Sequence, residues 1–274
     1  MTQMHATNAV QETLLLTSLS DNGVLRLTLN DEKRRNALSE EMMATLSEAL
    51  VQAADNPSVR VIVLAANGPA FCAGHDLKQI RAAQTQEDQG RAYFQVVFDT
   101  CATLMQSIVN HPKPIIAEVA GVATAAGCQL VASCDLAVAA KSAVFATPGV
   151  HIGLFCSTPM VALSRNISNK QAMEMLLTGD LIPAKQAQKM GLINHCVKDK
   201  KLRESTQQMA DKIAAKSSMT LAIGKRAYYE QCSMPLAEAY QYASNVMVEN
   251  LLKHDAKEGI QAFVEKRPAQ WQDQ

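Results

Sequence analysis

The chain has 274 residues, 48% of them hydrophobic and 19% charged, which is typical of a globular protein with a sizeable core. Lys plus Arg and Asp plus Glu both total 26, so no net charge favours nucleic acid or a membrane surface as a partner. No apolar run is long enough for a membrane span. The seven cysteines contain no CxxC pair and predict reduced core thiols. Because the N-terminus has no evident signal or transit peptide, we expect a cytoplasmic protein unless a leader has been removed.

The first part of the chain predicts a β-hairpin followed by a helix. Two apolar segments, 14–18 and 24–30, flank an Asn-Gly pair at 22–23 that is a strong hairpin signal. A charged loop follows, and Ser39 is expected to cap a helix that runs to about Ala54. The residues predicted to lie on its buried side are Met42, Met43, Leu46, Leu50 and Val51.

Two later segments each predict a buried strand that ends in a turn rich in small residues. The run 59–66 leads into a turn with Gly68, Pro69 and Gly74, after which Asp76 can cap a helix. The run 114–119 breaks at Gly121 before a helical segment, 125–133. Such turns leave backbone N–H groups open to a ligand oxygen, although the small residues could also serve only to pack the helix on the sheet.

The rest of the chain is predicted to become mainly helical. The polar segment 79–90 is expected to be mobile and to cover a pocket, and a helix is expected over 93–109. Strands are predicted at 135–139, 144–146 and 193–197. The predicted C-terminal helices are 157–165, 169–177, 183–190, 202–216, 218–232, 235–253 and 256–266.

The segment PAFCAGHDL, residues 69–77, resembles the FxAGxDL signature of the crotonase superfamily, the enoyl-CoA hydratase/isomerase family. The similarity runs from about Leu14 to the C-terminus with matching order and spacing. It is closest to one subgroup of the family in AAGCQLVASCD and FATPGVHIGLFCSTP. The resemblance implies an α/β fold, a spiral of ββα units at 1–200, followed by a helical trimerisation region at 201–274. A homotrimer or a dimer of trimers is therefore expected.

The resemblance also implies an acyl-CoA thioester as the ligand and an oxyanion hole formed by two backbone N–H groups. The matching positions are His75 and Ala126. Family hydratases carry two catalytic glutamates, where this chain has Gln129 and Gly149. An amide cannot take a proton from water near neutral pH, so standard hydratase activity is doubtful. The isomerases use the second of these positions, so Gly149 argues against that activity also.

Four other side chains remain open to more than one interpretation. Ser157 matches a catalytic Asp of some relatives and could hold water or act as a nucleophile, or it could simply cap a helix. Cys156 could have a lowered pKa near that helix start, or it could be buried. Glu118 is either a paired structural group or a displaced catalytic base. The His75 imidazole could face solvent or the pocket.

The same resemblance also implies which residues contact coenzyme A. Without the resemblance, the charged loop 30–36 would be interpreted as a solvated turn. Its match to the family implies contacts near the 3′-phosphate end of coenzyme A. Phe263 and Lys266 would approach coenzyme A bound mainly by a neighbouring subunit. The full set of predicted coenzyme A residues is Lys33, Arg34, Ala73, Asp76, Leu77, Lys78, Phe263 and Lys266.

Three functional hypotheses are compatible with these residues. The first is an acyl-CoA enzyme that stabilises a thioester enolate with an unusual set of proton-transfer groups. The second is a non-catalytic acyl-CoA-binding or regulatory protein. The third, a serine hydrolase based on Ser157, is weakened because no G-x-S-x-G motif is present. No cofactor beyond coenzyme A itself is expected, and no metal site is predicted because the His and Cys residues lack ligand spacing.

Overall fold

A computed structural model describes residues 13–274 as two sheets surrounded by helices. The strands are β1 Leu15–Leu19, β2 Val24–Leu29, β3 Val61–Ala66, β4 Ala70–Cys72, β5 Ile115–Val119, β6 Val122–Thr124, β7 Leu136–Ala140, β8 Val144–Ala146, β9 Ile182–Pro183 and β10 His195–Val197. The helices are α1 Glu40–Asp55, α2 Leu77–Ala83, α3 Arg91–Val109, α4 Ala126–Ser133, α5 Ser157–Leu163, α6 Asn169–Thr178, α7 Ala184–Met190, α8 Leu202–Ala214, α9 Ser218–Gln231, α10 Leu236–Leu251 and α11 His254–Glu265. Short 3-10 helices lie at Glu32–Arg34, Pro148–Ile152 and Asp199–Lys201.

The strands confirm the predicted spiral of repeating units. The larger sheet has the order β1-β2-β3-β5-β7-β10, and the smaller sheet has the order β4-β6-β8-β9. Each successive unit, β3 with β4, β5 with β6 and β7 with β8, therefore gives one strand to each sheet. Strands β2, β3, β5 and β7 pair in parallel, as do β4, β6 and β8. Stacked units of this kind bring the ends of equivalent strands to the same edge of a sheet.

The first hairpin and helix agree with the sequence except at one residue. Strands β1 and β2 pair antiparallel, and Ser39 caps α1 by accepting the N–H of Met42 at 3.2 Å. Val51, however, is 63% exposed, so its predicted burial is wrong. Leu50 already fills the buried stripe of that turn, and consecutive helical residues point in directions about 100° apart.

The segment between the first small-residue turn and α3 is more regular than its polar composition suggested. It contains α2, followed by a turn in which the Asp88 carboxylate accepts the N–H groups of Gly90 and Ala92. Residues from this turn and from the start of α3 line a surface cleft of about 390 Å³ that reaches Phe98. The predicted mobility of 79–90 stays a prediction.

Candidate functional site

The two small-residue turns meet at one edge of the smaller sheet. Strands β4 and β6 are parallel neighbours, so the turns that follow them lie side by side. The Thr124 hydroxyl donates to the Ala73 carbonyl at 3.2 Å. A Cβ atom on Gly74 would lie 2.9 Å from the Ala125 Cβ and 3.4 Å from the Ala126 nitrogen. Only glycine fits this contact, and its φ of +96° independently favours glycine.

Both predicted donor N–H groups lie at this contact. Leu38 and His75 form an isolated parallel β-bridge. In it the Leu38 N–H donates to the Gly74 carbonyl at 2.8 Å, so this bond does not use the His75 N–H. Ala126 is the first residue of α4, where helix geometry gives its N–H no intrahelical acceptor. The start of α4 approaches β4 closely because residue 127 is glycine: a Cβ there would lie 2.1 Å from the Cys72 carbonyl oxygen.

Ala125, which immediately precedes α4, has an unfavourable backbone conformation. Its φ is 50° and its ψ is −121°, a region that glycine enters far more easily than alanine. Its N–H donates to the Ala146 carbonyl at 2.9 Å, which fixes the turn against β8. Backbone strain of this kind typically costs about 1–3 kcal/mol and persists where surrounding structure enforces it.

The His75 imidazole is largely buried beside α3. Its ring packs edge-on against Phe98, with centroids 5.3 Å apart and planes at 86°. Neither ring nitrogen makes a hydrogen bond of ordinary geometry within residues 13–274, although the Leu38 carbonyl lies near the ring. Burial lowers the pKa of His75 from its usual 6.5, while the Leu38 carbonyl has a smaller opposing effect. The ring is therefore neutral near pH 7. No sequence pattern predicts the contact between this ring and Phe98.

Gln129 lies one turn after Ala126 on a helix in which every residue is buried. Its backbone N–H donates to the Ala125 carbonyl at 3.0 Å. The side chain is only 4% exposed, and its Oε1 atom has no hydrogen-bond partner within the described chain. Helical side chains lean toward the helix N-terminus, and Ala126 lies three residues before Gln129 on the same face of α4.

Gly149 is enclosed by its own loop. It lies in the 3-10 helix Pro148–Ile152, and its carbonyl accepts the Leu154 N–H at 2.9 Å. A Cβ at this position would be 2.7 Å from the Leu154 carbonyl oxygen and 2.9 Å from the Cys156 Sγ. A glutamate therefore cannot be introduced here without moving the loop backbone. Burial raises the pKa of the Cys156 thiol, which agrees with the buried interpretation and is opposite to the lowered pKa of an activated thiolate.

Ser157 neither caps a helix nor contacts a catalytic base. It is the first residue of α5, while Cys156 occupies the cap position, so the capping interpretation is wrong. The side chain is exposed, and its hydroxyl donates to the Phe155 carbonyl at 3.4 Å. No carboxylate or imidazole in the described part of the chain bonds to this hydroxyl.

Glu118 is held in a buried ion pair. Its two carboxylate oxygens accept from the two terminal nitrogens of Arg26 at 2.7 and 3.0 Å, and both side chains are about 10% exposed. This bidentate contact supports the paired structural interpretation of Glu118 over that of a displaced catalytic base. Arg26 is the one charged residue of strand β2, and a charge in a mainly apolar strand is a sequence signal for a buried partner.

The predicted coenzyme A residues near the first turn have partners of their own. Arg34 Nε contacts Asp31 at 2.5 Å, and its terminal nitrogen lies 3.5 Å from Glu41 and 3.9 Å from Asp76. The Asp76 carboxylate caps α2 by accepting the Lys78 N–H at 2.8 Å, as expected. Lys33, Leu77 and Lys78 are exposed. Arg34 thus faces three carboxylates, and its contact with a phosphate stays a prediction.

The two predicted coenzyme A residues near the C-terminus lie at the end of α11. Phe263 is 86% exposed, and Lys266 ends the helix in a left-handed conformation. Their proposed contact with a neighbouring subunit is not tested by a single chain.

This fold and these turns are shared with known proteins. The family model for enoyl-CoA hydratase/isomerase matches residues 20–274, so the chain belongs to that family. A rat relative, "Enoyl-CoA hydratase domain-containing protein 3, mitochondrial", is 46% identical over 260 residues, which cover 95% of this chain and 85% of the rat protein. The predicted family and subgroup similarity are confirmed.

Solved structures agree with the family assignment and with the predicted fold. The crystal structure of human enoyl-CoA hydratase domain-containing protein 3 superposes with a TM-score of 0.89 at 45% identity, covering 94% of this chain and all of that one. An enoyl-CoA hydratase from Mycobacterium smegmatis gives a TM-score of 0.90 at 47% identity, covering 95% and 99%. No helix among residues 13–274 is long and apolar enough to cross a bilayer.

Proposed function

We propose that the protein binds an acyl-CoA thioester and that the N–H groups of His75 and Ala126 donate to its carbonyl oxygen. The observation that supports this is the contact between the two turns, with the Gly74 backbone packed against Ala125 and Ala126. Two such donors stabilise the negative charge that develops when a thioester becomes an enolate. Each donor is typically worth about 2.7–4 kcal/mol in the transition state.

The side chains around this position favour an enolate-forming reaction without the hydratase pair of carboxylates. Gln129 and a neutral His75 are hydrogen-bonding groups, but neither is a carboxylate. The space beside Gly149 is filled by Leu154 and Cys156, and Glu118 is paired with Arg26. The same facts support the second candidate, an acyl-CoA-binding or regulatory protein without turnover.

Hydration of crotonyl-CoA separates a standard hydratase from both candidates. Each general acid or base typically contributes about 10²- to 10⁴-fold, and two are replaced here. We expect little or no loss of enoyl absorbance at saturating substrate. Turnover at ordinary hydratase rates would contradict this assignment. A wider screen of acyl-CoA thioesters for turnover then separates the enzyme from the binding protein.

The proposed donor at Ala126 can be tested by removing a single N–H group. Replacing the Ala126 amide by an ester, with lactic acid in place of alanine, keeps the methyl group and deletes only the donor. A bound acyl-CoA with a ¹³C-labelled thioester carbonyl should then show a smaller shift of its carbonyl stretch to low frequency. The same replacement at Ala132, inside α4, is the matched control and should leave that shift unchanged. Equal shifts in the parent and the Ala126 ester would contradict the proposed donor.

The proposed partners include other copies of the chain. Helices α9 and α10 bury no residue within one chain, and α10 carries the exposed apolar side chains Tyr240, Met247 and Val248. These faces favour the expected trimer or dimer of trimers, with coenzyme A near a subunit boundary. Sedimentation should give three or six times the 29.7 kDa chain mass. Lys266→Ala should weaken coenzyme A binding without weakening a truncated pantetheine thioester, and a stable monomer with unchanged binding would contradict the assembly.

The compartment is part of the same proposal. We expect a cytoplasmic protein, whereas the rat relative carries "mitochondrial" in its name. Fractionation of the source cells with a compartment marker tests the cytoplasmic expectation directly.

A further inference from the structure

Asn36, the last residue of the charged loop 30–36, is a polar side chain enclosed in the protein interior. It is 0% exposed, and its Oδ1 accepts the Asp31 N–H at 2.7 Å. Its Nδ2 donates to the carbonyls of Asn67 and Ala70, each at 2.8 Å. The amide oxygen and both amide hydrogens are therefore paired, which fixes the orientation of the side chain.

The backbone of Asn36 explains why an asparagine stands here. Its φ is +52°, and the φ of Arg35 before it is +54°. Asparagine enters this left-handed region several-fold more often than most residues other than glycine. The Asn36 N–H also donates to the Asp31 carbonyl at 2.8 Å, which closes the loop. Asparagine thus suits the backbone conformation, and its carboxamide joins the loop to the start of β4.

Two backbone bonds beside Asn36 hold the first small-residue turn in place. The Arg35 carbonyl accepts the Ala73 N–H at 3.1 Å. The Leu38 N–H donates to the Gly74 carbonyl at 2.8 Å. Together with the Asn36 amide, these bonds join the loop to β4 and to the turn that follows it. The position of the turn therefore depends on the position of the loop.

The bond from Leu38 also sets the direction of the His75 N–H. The Gly74 carbonyl and the His75 N–H belong to one planar, trans peptide group. Because C=O and N–H point in nearly opposite directions in such a group, a donor on the carbonyl side turns the N–H away from Leu38. This hydrogen bond also polarises the peptide group and strengthens its N–H as a donor. The bonds of the turn leave the His75 N–H without a backbone acceptor among residues 13–274, so it is open to a ligand oxygen.

Resting on the proposed thioester function, we propose that Asn36 is a positioning residue for the His75 N–H. It holds the Leu38 N–H on the Gly74 carbonyl, and that bond directs the His75 donor toward the thioester oxygen and strengthens it. If Asn36 only stabilised the fold, its loss would lower the free energy of unfolding. The carbonyl of a thioester bound to each folded molecule would then stay equally polarised.

The test measures the carbonyl stretch of ¹³C-labelled butyryl-CoA bound to the full-length protein. Asn36→Asp keeps an oxygen that accepts the Asp31 N–H, and it replaces the amide NH₂ by an oxygen that faces two carbonyls. Replacing the Leu38 amide by an ester, with leucic acid in place of leucine, deletes only the N–H. We expect each change to reduce the shift of the stretch to low frequency by about 10–30% or more, the cooperative share that one hydrogen bond contributes to the next.

Asn166→Asp is the matched control. The Asn166 Nδ2 donates to the carbonyls of Ala132 and Ala162, each at 2.8 Å, so this change removes the same pair of bonds near the other end of α4. It should leave the parent shift unchanged. Circular dichroism and retained butyryl-CoA binding establish that each variant is folded. Asn36→Gly, which enters the left-handed region readily, takes the place of Asn36→Asp if the aspartate variant does not fold.

The outcomes separate this inference from the function on which it rests. An unchanged carbonyl shift in either the folded Asn36 variant or the Leu38 ester would overturn the inference, because the proposed route needs both. An equal loss in Asn166→Asp would overturn it also, since the effect would then be one of general destabilisation. If butyryl-CoA does not bind the parent protein, or binds with an unshifted carbonyl stretch, the proposed function itself fails, which is a separate result.

Discussion

The site and the C-terminal helices are stabilised in different ways. Helix α4, which begins at the site, buries all eight of its residues, whereas α9 and α10 bury none. The C-terminal helices instead expose the large apolar side chains Tyr228, Leu236, Tyr240, Met247, Val248, Leu251, Leu252, Ile260, Phe263 and Val264. Close packing therefore stabilises the site. Within one chain, interactions other than burial must hold the C-terminal helices against the rest of the protein.

Charged groups provide much of that attachment. Lys225 on α9 contacts Asp135 at 2.7 Å and donates to the carbonyls of Ile108 and Lys113 at 3.0 and 3.2 Å. The Asp135 carboxylate also accepts the Tyr229 hydroxyl at 3.0 Å and the Ile115 N–H at 2.7 Å. The comparison predicts that the core responds mainly to changes of volume, and the C-terminal helices mainly to changes of charge.

The largest expected effect is loss of the Lys225 charge. Lys225→Met should lower the free energy of unfolding by about 3–5 kcal/mol, because it leaves the Asp135 carboxylate without its buried partner. Urea unfolding followed by circular dichroism measures this change. Lys201→Met removes an exposed contact with Glu204 and should cost at most about 1 kcal/mol. Equal costs in the two variants would show that the buried pair does not hold the helices.

The same substitution should have opposite signs in the two regions. Gly149→Ala should lower the free energy of unfolding by about 1–3 kcal/mol, because its Cβ would overlap the Leu154 carbonyl. Gly224→Ala, in α9, meets no atom within 4 Å and should raise that free energy by about 1 kcal/mol through helix propensity. Thermal unfolding of both variants tests the pair. A stabilising Gly149→Ala would mean that the loop moves freely and that the site is not closely packed there.

Much of the fold followed from patterns that are local in sequence. The hairpin, the buried strands β3 and β5 and the helix starts at Ser39 and Asp76 depend on residues within a few positions of one another. The exposure of Val51 depends on how α1 is rotated against the core. Whether Ser157 is a cap or a first helical residue depends on where the first turn of α5 closes. Neighbouring residues alone do not fix these details.

The site itself was predictable only in part, for a physical reason. Its two turns carry glycine and alanine patterns that are visible in the sequence. The Arg26–Glu118 pair and the Phe98–His75 contact join residues far apart in the chain, and the contacts of Gly149 with Leu154 and Cys156 depend on how its loop closes. Such contacts arise from tertiary packing, and they support the paired interpretation of Glu118 and the buried interpretation of Cys156.

A smaller effect is expected from relieving the backbone strain at Ala125. Ala125→Gly should raise the free energy of unfolding by about 1 kcal/mol, since the strain removed, about 1–3 kcal/mol, exceeds the entropic cost of glycine in the unfolded chain. Ala123→Gly, two residues earlier at the buried position of β6, is the matched control and should destabilise the protein. Denaturant midpoints give both values. If Ala125→Gly destabilises as Ala123→Gly does, the turn is not strained.

The smallest expected effect is a pH dependence confined to the C-terminal segment. The Glu258 carboxylate on α11 accepts from Arg267 at 2.6 and 2.9 Å and from the Gln270 N–H at 2.8 Å. These bonds, led by those from Arg267, lower the pKa of Glu258 from 4.5 to about 2. Trp271, the single tryptophan of the chain, packs near Gly259 and donates to the Ala215 carbonyl at 2.9 Å, so its fluorescence reports on this segment.

The direction of the effect follows from which form of Glu258 the folded segment prefers. A carboxylate whose pKa is lowered by folding stabilises the folded state above its unfolded pKa, here 4.5, and this contribution is lost as the pH falls toward about 2. We therefore expect Trp271 emission to be stable above pH 5 and to change between pH 4.5 and 2. Asp255 and Glu265 nearby also have lowered pKa values, Asp255 despite its burial and Glu265 through bonds from Gln261 and Arg267. The difference between the parent and Glu258→Gln isolates the Glu258 contribution, and identical acid transitions in the two proteins would show that the Arg267 contact does not stabilise the segment.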